Sequence, residues 1–454
     1  VILGDSRVLI LGMGVTGRAA SAALEKVGAR VVTVDRTQPA DHLGIEGVDL
    51  SSFDLVIASP GWPPHGDALT AVEAAEIPVW SEVELAWHLR APSTPWLLVT
   101  GTNGKTTTVQ MVGSMAAAAG LRCAVVGNVG EPVVATAGEP LDLLVVEVSS
   151  FQLHYTFSVS PLASVCLNVD DDHLDWHGSP EAYRADKAHV YAHTTVACLY
   201  PEDNADIDAM VREADVEEGC RAIGLTLGVP MISQLGLVED ILVDRAFLEN
   251  RQNEAFELAR IEDLAHLTAG DVPPYLIANA LAAAGLARAA GIDPEYVGEG
   301  LRTFRLDHHR TAHVATVDGV AYVDDSKATN PHAARAAFGG IALGTAVWIV
   351  GGLTKGADLA PLVRDVADRL RAAVIIGLDS SSLVVAFERH APGIPVTVIP
   401  AGDTVMERAV SVAREYARPG DIVLMSPACA SMDQFRDYAD RGDAFAAAVG
   451  ALAK

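Results

Sequence analysis

The stretch LVTGTNGKTT at residues 98–107 joins an apolar run to an alanine-rich segment that ends at Gly120. Trp96-Leu97-Leu98-Val99 reads as a buried strand, and the residues after Lys105 read as a helix. Glycines between a strand and a helix let backbone N–H groups curl around a phosphate, and the helix N-terminus adds partial positive charge. Lys105 can reach β- and γ-phosphates, and Thr106 can place a hydroxyl on Mg²⁺. The strict phosphate-loop pattern has glycine where Val99 stands; Gly101 sits closer in, so the loop is a shortened variant. Gly101, Thr102, Asn103, Gly104, Lys105, Thr106 and Thr107 therefore predict binding of a nucleotide's phosphates.

Working outward toward the N-terminus, a first α/β block runs to about residue 90. Strand-like segments at 7–11, 31–34 and 54–59 alternate with helical stretches at 16–27 and 66–76, the mark of a parallel sheet with crossover helices. Gly12-Met13-Gly14-Val15-Thr16-Gly17 is G-x-G-x-x-G between strand and helix, and Asp35 ends the next strand. This is a dinucleotide fingerprint in its proper context. Alone it would suggest an NAD-dependent oxidoreductase with Asp35 on a ribose hydroxyl. The turn accepts any diphosphate, however, and a second phosphate loop at 101–107 argues against a simple dehydrogenase. A uridine diphosphate group in the first block satisfies both observations. Residues 91–95 (Ala-Pro-Ser-Thr-Pro) read as a linker.

The central block, 91–306, carries the strand candidates WLLVT, CAVVG, LLVVEV, ASVCLNV and TVACLY. They are short and apolar, as central parallel strands should be. The stretch 227–262 is less legible and suits an antiparallel edge, and 274–290 reads as a helix with proline near its start. Glu147 ends one of the apolar strands, where a charge is costly unless paired or bound to metal, so it is a candidate Mg²⁺ ligand. Asp170, Asp171, Asp172 and Asp175 surround His173, a set that attracts a divalent cation. Lys187, in PEAYRADKAHVY, reads from the sequence alone as an ordinary surface lysine.

A third block, 307–454, opens on His308-His309-Arg310 and a hairpin signature around Asp318-Gly319. AVWIVGG, AAVIIG, PVTVIP and DIVLMS then alternate with helices. DDSKATNP (324–331) gathers a carboxylate, an ammonium and hydroxyls in a turn that enters a helix with Asn330 as N-cap and Pro331 behind it. SPACASMDQF (426–435) is a further candidate anion site, with Cys429 read as packing because no histidine partner is evident.

The net charge of −27 excludes a general nucleic-acid binder, which needs a basic face. No apolar run is long enough to span a membrane. The opening VILGDSRVLILG has neither a basic region nor a cleavage site, so no signal peptide is expected. Five dispersed cysteines without a C-x-x-C pair suit a reduced cytoplasmic enzyme.

GTNGKTT, EVSSFQ, the Asn168–His173 segment, DDSKATNP and SPACASMDQF stand in one order over nearly the whole chain, which thereby resembles the Mur ligases. The glycine-rich start, DSKATN and SPACAS-x-DQF resemble the branch that joins D-glutamate to UDP-N-acetylmuramoyl-L-alanine; other Mur ligases and folylpolyglutamate synthases share the central features. The resemblance implies an α/β protein of three domains. They are a Rossmann-like UDP-substrate domain (1–90), a central P-loop ATPase-type domain with a mainly parallel sheet (91–306), and a Rossmann-like amino-acid-binding domain (307–454). It implies ATP and two Mg²⁺ ions, with Lys105, Glu147, His173 and Lys187 in catalysis. Thr106, Glu147, His173 and Lys187 would hold metal, Lys187 as a carbamate. Asn279, Arg310 and Asp325 would join the loop in binding ATP. Gly14, Val15, Thr16, Asp35, Arg36 and Asn128 would bind the UDP substrate. Lys327, Thr329, Lys355, Ser431, Met432 and Tyr438 would bind D-glutamate. A cytoplasmic monomer is expected.

Overall fold

A computed structural model describes residues 2–452 apart from Val129, Asp171, Ala269, Gly270, Asp307, Lys355 and the side chain of Asp175. Among the described residues the strands form three sheets. The first has four parallel strands in the order Arg30–Val34, Arg7–Leu11, Leu55–Ala58, Val79–Trp80. Val8, Leu9, Ile10 and Leu11 are fully buried, because helices cover both faces of such a sheet and its strands read as continuous apolar runs. At the G-x-G-x-x-G turn, a Cβ on Gly17 would lie 1.8 Å from the carbonyl oxygen of Gly12. This glycine is what lets the helix Val15–Lys26 sit against the turn. Gly17→Ala is expected to cost about 1–3 kcal/mol, measured as a lower urea midpoint with unchanged m-value.

The second sheet has nine strands. Six parallel ones form its body, in the order Arg221–Leu225, Ala197–Pro201, Ala163–Cys166, Trp96–Thr100, Leu143–Glu147, Cys123–Gly127. Gln234–Val238 joins Arg221–Leu225 in parallel, and Ile241–Asp244 and Phe256–Arg260 complete an antiparallel edge. That edge occupies the stretch expected to hold one. The third sheet runs Ala312–Val317, Val320–Asp324, Ile422–Met425, Ala346–Gly351, Leu370–Ile376, Val396–Val398, with only its first pair antiparallel. Asp318 and Gly319 both take positive φ, +52° and +77°, as a tight type I′ hairpin requires.

The chain divides into two compact units: Val1–Arg260 with Ala278–Thr303, and Ile261–Ile277 with Phe304–Lys454. The first unit holds two of the three sheets. Within it, the Glu84 carboxylate accepts from the backbone N–H of Phe157 and of Ser158, and Ser81 and Thr156 share a hydroxyl hydrogen bond of 2.8 Å. Ile261–Ile277, read from the sequence as part of the central block, belongs to the second unit. There His266 Nε2 donates to the carbonyl of Phe304 at 2.8 Å, and the Tyr275 and Thr311 hydroxyls lie 3.4 Å apart.

Candidate active site

The loop 101–104 leaves the strand Trp96–Thr100 and enters the helix Lys105–Ala118. Gly104 is the N-cap in the left-handed region (φ +85°), and a Cβ there would lie 2.5 Å from Asn279 Oδ1. The loop therefore needs glycine for its conformation and for the close approach of Asn279. Asn103 N–H donates to Asn168 Oδ1 at 2.8 Å, and Asn168 Nδ2 returns a bond to Asn103 O. Thr102 Oγ1 lies 3.0 Å from the Tyr183 hydroxyl. Lys105 Nζ donates to the carbonyls of Gly101 (2.7 Å) and Thr102 (3.0 Å), so its ammonium is folded over the loop that its charge would serve. Thr107, on the first turn of the helix, is buried.

Glu147, almost fully buried, ends the neighbouring strand Leu143–Glu147. Thr106 Oγ1 donates to its Oε2 at 2.7 Å, and Asn128 Nδ2 donates to its Oε1 at 3.2 Å. A buried carboxylate and a hydroxyl beside a phosphate loop are hard oxygen donors that suit Mg²⁺, an ion that keeps several waters and phosphate oxygens in its shell. Among the described residues no three His, Cys, Asp or Glu side chains converge as a ready-made metal cluster, so few protein ligands are on offer. His173 has left-handed backbone (φ +52°) and a half-exposed ring. That ring lies 3.6 Å from Asp172 and edge-on to Phe151. Asp171 and the Asp175 side chain lie outside the described residues.

Lys187 corrects the sequence reading: it is 2% exposed rather than a surface lysine. On the helix Pro180–Ala188, Tyr183, Asp186 and Lys187 form the buried stripe, and Lys187 Nζ stands 4.8 Å over the Tyr183 ring. Burial pushes its amine down to about 7, the Lys105 charge adds to that, and Cys166 and Asp172 oppose it. An amine so lowered is substantially neutral near pH 7 and nucleophilic.

At the first sheet, Gly14 is the N-cap of the helix Val15–Lys26, Val15 is 62% exposed, and Thr16 is half-buried. The Asp35 carboxylate accepts from the backbone N–H of Gln38, Met13 and Thr37 at 2.8, 2.6 and 2.8 Å. These three bonds, that from Gln38 most, hold it down at about 2. Asp35 thus braces the glycine turn. Arg36 stacks its guanidinium 4.4 Å over the Trp62 ring. Both line a cleft of about 490 Å³ with His42, Leu43, Glu46 and Asp67.

In the second unit, Asp325 is buried and accepts from Thr311 N–H (3.1 Å) and from Ser426 Oγ (2.7 Å). Burial pushes its carboxyl up to about 7. Arg310 lies in the loop before the hairpin, and its charge acts on Asp325. Asn330 caps the helix Pro331–Ala337 through Ala333 N–H, as the sequence predicts. Lys327 Nζ lies 5.4 Å over the Tyr438 ring; Thr329 is exposed, Ser431 buried, and Met432 70% exposed. Lys355 lies outside the described residues. Cys429 is buried, with its thiol pushed up to about 12 by burial, which fits packing rather than nucleophilic attack.

The sequence reading missed Arg441. It is fully buried on the helix Tyr438–Leu452. Its Nε donates to Ser326 Oγ (3.0 Å) and its NH2 group to Ser326 O (2.9 Å), while NH1 donates to Cys429 O (3.1 Å). One guanidinium thereby fastens DDSKATNP to SPACAS. An arginine beside glycine in an otherwise alanine-rich helix was the available signal. Cys198 and Cys220, read as dispersed, have their Sγ atoms 3.7 Å apart on adjoining segments.

Residues 99–287 match the Mur ligase middle domain, and residues 309–429 match the Mur ligase, glutamate ligase domain. The chain is 52% identical over 464 residues to the UDP-N-acetylmuramoylalanine–D-glutamate ligase of Streptomyces avermitilis, covering 98% of each. It is 42% identical over 493 residues to that of Mycolicibacterium smegmatis, covering 98% of this chain and 97% of the relative. Among solved structures, the UDP-N-acetylmuramate-alanine ligase MurC of Thermotoga maritima superposes with a TM-score of 0.57 at 16% identity, covering 98% of this chain and all of that one. E. coli FolC in complex with DHPP and ADP gives 0.55 at 17% identity, covering 82% of this chain and 91% of that one. These likenesses carry the fold, while the sequence relatives carry the family. The chain belongs to the Mur ligases, and within them to the UDP-N-acetylmuramoylalanine–D-glutamate ligases.

Proposed function

We infer that this chain joins D-glutamate to UDP-N-acetylmuramoyl-L-alanine at the expense of ATP, forming an amide with release of ADP and phosphate, in peptidoglycan precursor synthesis. The observation that carries the chemistry is the buried Thr106–Glu147 pair, joined by the exposed Asn128, beside a glycine-rich loop at a helix N-terminus. The L-alanyl carboxylate attacks the γ-phosphate, giving an acyl phosphate and ADP. The free amine of D-glutamate attacks the acyl carbon, and the tetrahedral intermediate collapses to the amide and phosphate. A carboxylate is a poor electrophile, and phosphorylation gives it a leaving group.

Lys105 and the loop N–H groups receive the β- and γ-phosphates and offset the charge of two anions brought together. Bound Mg²⁺ would supply further charge neutralisation, with Thr106, Glu147, His173 and Lys187 as the residues to hold two such ions. For Lys187 to serve, its neutral amine adds to CO₂ and loses a proton, becoming a carbamate; its burial and lowered pKa favour that reaction. His173 orients or moves a proton at the amine step.

Asn279, Arg310 and Asp325 serve the nucleotide. Gly14, Val15, Thr16, Asp35, Arg36 and Asn128 serve the UDP substrate, a role that the Arg36–Trp62 stack suits for a planar base. Lys327, Thr329, Ser431, Met432 and Tyr438 serve D-glutamate, and Lys355 joins them by resemblance. The first sheet is the UDP-substrate domain, the second the ATP domain, and the third the amino-acid domain. Among the described residues no helix is long and apolar enough to cross a membrane. The nucleotide-linked substrates of the proposed reaction place it in the cytoplasm.

The test supplies ATP, Mg²⁺ and UDP-N-acetylmuramoyl-L-alanine with D-glutamate, L-glutamate, L-alanine or L-lysine in parallel, reading phosphate release and product mass. A D-glutamate adduct alone is the expected result. An adduct with another amino acid would overturn the specificity, and no adduct in any tube would overturn the activity.

A further inference from the structure

Asp186 lies one residue before Lys187 and is buried, yet no step above uses it. Its Oδ1 pairs with His154 Nδ1 at 2.8 Å, and its Oδ2 with His177 Nδ1 at 2.7 Å. His177, whose side chain is wholly buried, meets Ser150 Oγ through Nε2 at 3.0 Å. With Nδ1 donating to the carboxylate, the neutral ring accepts from the serine hydroxyl. The partners come from three segments. His154 and Ser150 lie on the helix Ser150–His154, which follows Glu147 by three residues and is fixed at its start by a Ser149–Gln152 capping box. His177 ends the one-turn helix Leu174–His177, whose N-cap is His173. Asp186 sits on the helix that carries Lys187.

One carboxylate therefore ties together the segments that present Glu147, His173 and Lys187. The rings repeat the pattern. Phe151 stacks on His177 (5.4 Å, 11°) and touches His173 edge-on, while Tyr183 meets His177 at 5.1 Å and underlies Lys187. His173 also holds a left-handed backbone, a state that costs a non-glycine residue about 1 kcal/mol or more and persists only where neighbours hold it. His177, four residues on and bonded at both ring nitrogens, is the anchor that does so.

We propose that Asp186, acting through His154 and His177, is a positioning residue for the divalent-cation site of the ligase. The inference rests on the reading of Glu147, His173 and Lys187 as that site. Outer partners of this kind typically govern metal affinity or activity by about 10–100-fold.

The test uses the full-length protein, Asp186→Ala, and His177→Phe, which keeps a ring in the stack and loses both hydrogen bonds. Binding of the non-hydrolysable ATP analogue AMP-PNP is measured by calorimetry with and without Mn²⁺, beside thermal melting. The expected result is that the Mn²⁺-dependent gain in affinity falls by about tenfold in both variants, while metal-free AMP-PNP affinity moves less than about twofold. A gain equal to that of the parent protein in a folded variant, with or without a lower melting temperature, overturns the proposal and leaves Asp186 a merely structural residue. If the parent protein shows no Mn²⁺-dependent gain and forms no D-glutamate adduct, the reading of the site itself is overturned, and the proposal with it.

Discussion

Lys105→Ala is expected to lower kcat for ligation by at least about 10³-fold while leaving affinity for UDP-N-acetylmuramoyl-L-alanine within about twofold. The ammonium is the cation placed to meet phosphates at the loop, and it now rests on the carbonyls of Gly101 and Thr102. When triphosphate arrives it exchanges two neutral carbonyl acceptors for anionic ones, which makes stronger, charge-assisted bonds. Those bonds tighten as charge migrates during phosphoryl transfer, so the loss falls on kcat and not only on the KM for ATP. The two carbonyls that lose a donor belong to the buried residues Gly101 and Thr102, so the variant is expected to lose about 1–3 kcal/mol of stability, and thermal melting checks that it remains folded. Calorimetry with the UDP substrate and phosphate release with all three substrates read the two halves separately. Turnover within about tenfold of the parent protein would remove Lys105 from phosphoryl transfer.

The sequence disclosed what local rules govern. Glycines at 12, 17, 101 and 104 marked the two phosphate turns because positive φ at 12, 101 and 104 and a 1.8 Å approach at 17 exclude most side chains there. Asp318-Gly319 announced the hairpin, and Asn330-Pro331 the capped helix, for the same kind of reason. The apolar strands were legible because parallel strands are buried on both faces. Arg441, Asp186 and Lys187 were not, because what decides their burial is remote in sequence. On the helix Pro180–Ala188, positions 183, 186 and 187 have the spacing of a buried face, but two of the three are charged, so the stripe reads as polar. Asp186 becomes buried only because His154 and His177 arrive from other segments, and Arg441 only because Ser326 and Cys429 supply carbonyls and a hydroxyl. The position of Asp35 at a strand end was legible, but its role was less so. Three backbone donors already engage it, so its carboxylate first of all shapes the turn that would carry a diphosphate.

Lys187→Ala is expected to cost about 10³-fold in kcat. Added bicarbonate should not restore it, since no amine remains to take up CO₂, whereas a short carboxylate such as acetate or propionate should restore part of it by filling the vacated space with the missing anion. Full activity of the variant would remove Lys187 from the mechanism. The same buried amine makes a second prediction, about stability in CO₂-free buffer. Its folded pKa of about 7 lies below its ordinary value of 10.5. Between those values the unfolded chain binds more protons than the folded one, so stability rises with pH across the window. At and below pH 7 the buried amine then costs the fold up to roughly 5 kcal/mol, a cost that fades toward pH 10. Lys187→Met has no proton to exchange and keeps most of the apolar stem. It should be the more stable protein at pH 7 and should converge with its parent near pH 10, as read from urea midpoints. Parallel pH profiles for the two proteins would mean that the Lys187 amine titrates alike in the folded and unfolded chains, and the neutral nucleophile required for carbamate formation would then be lacking near pH 7.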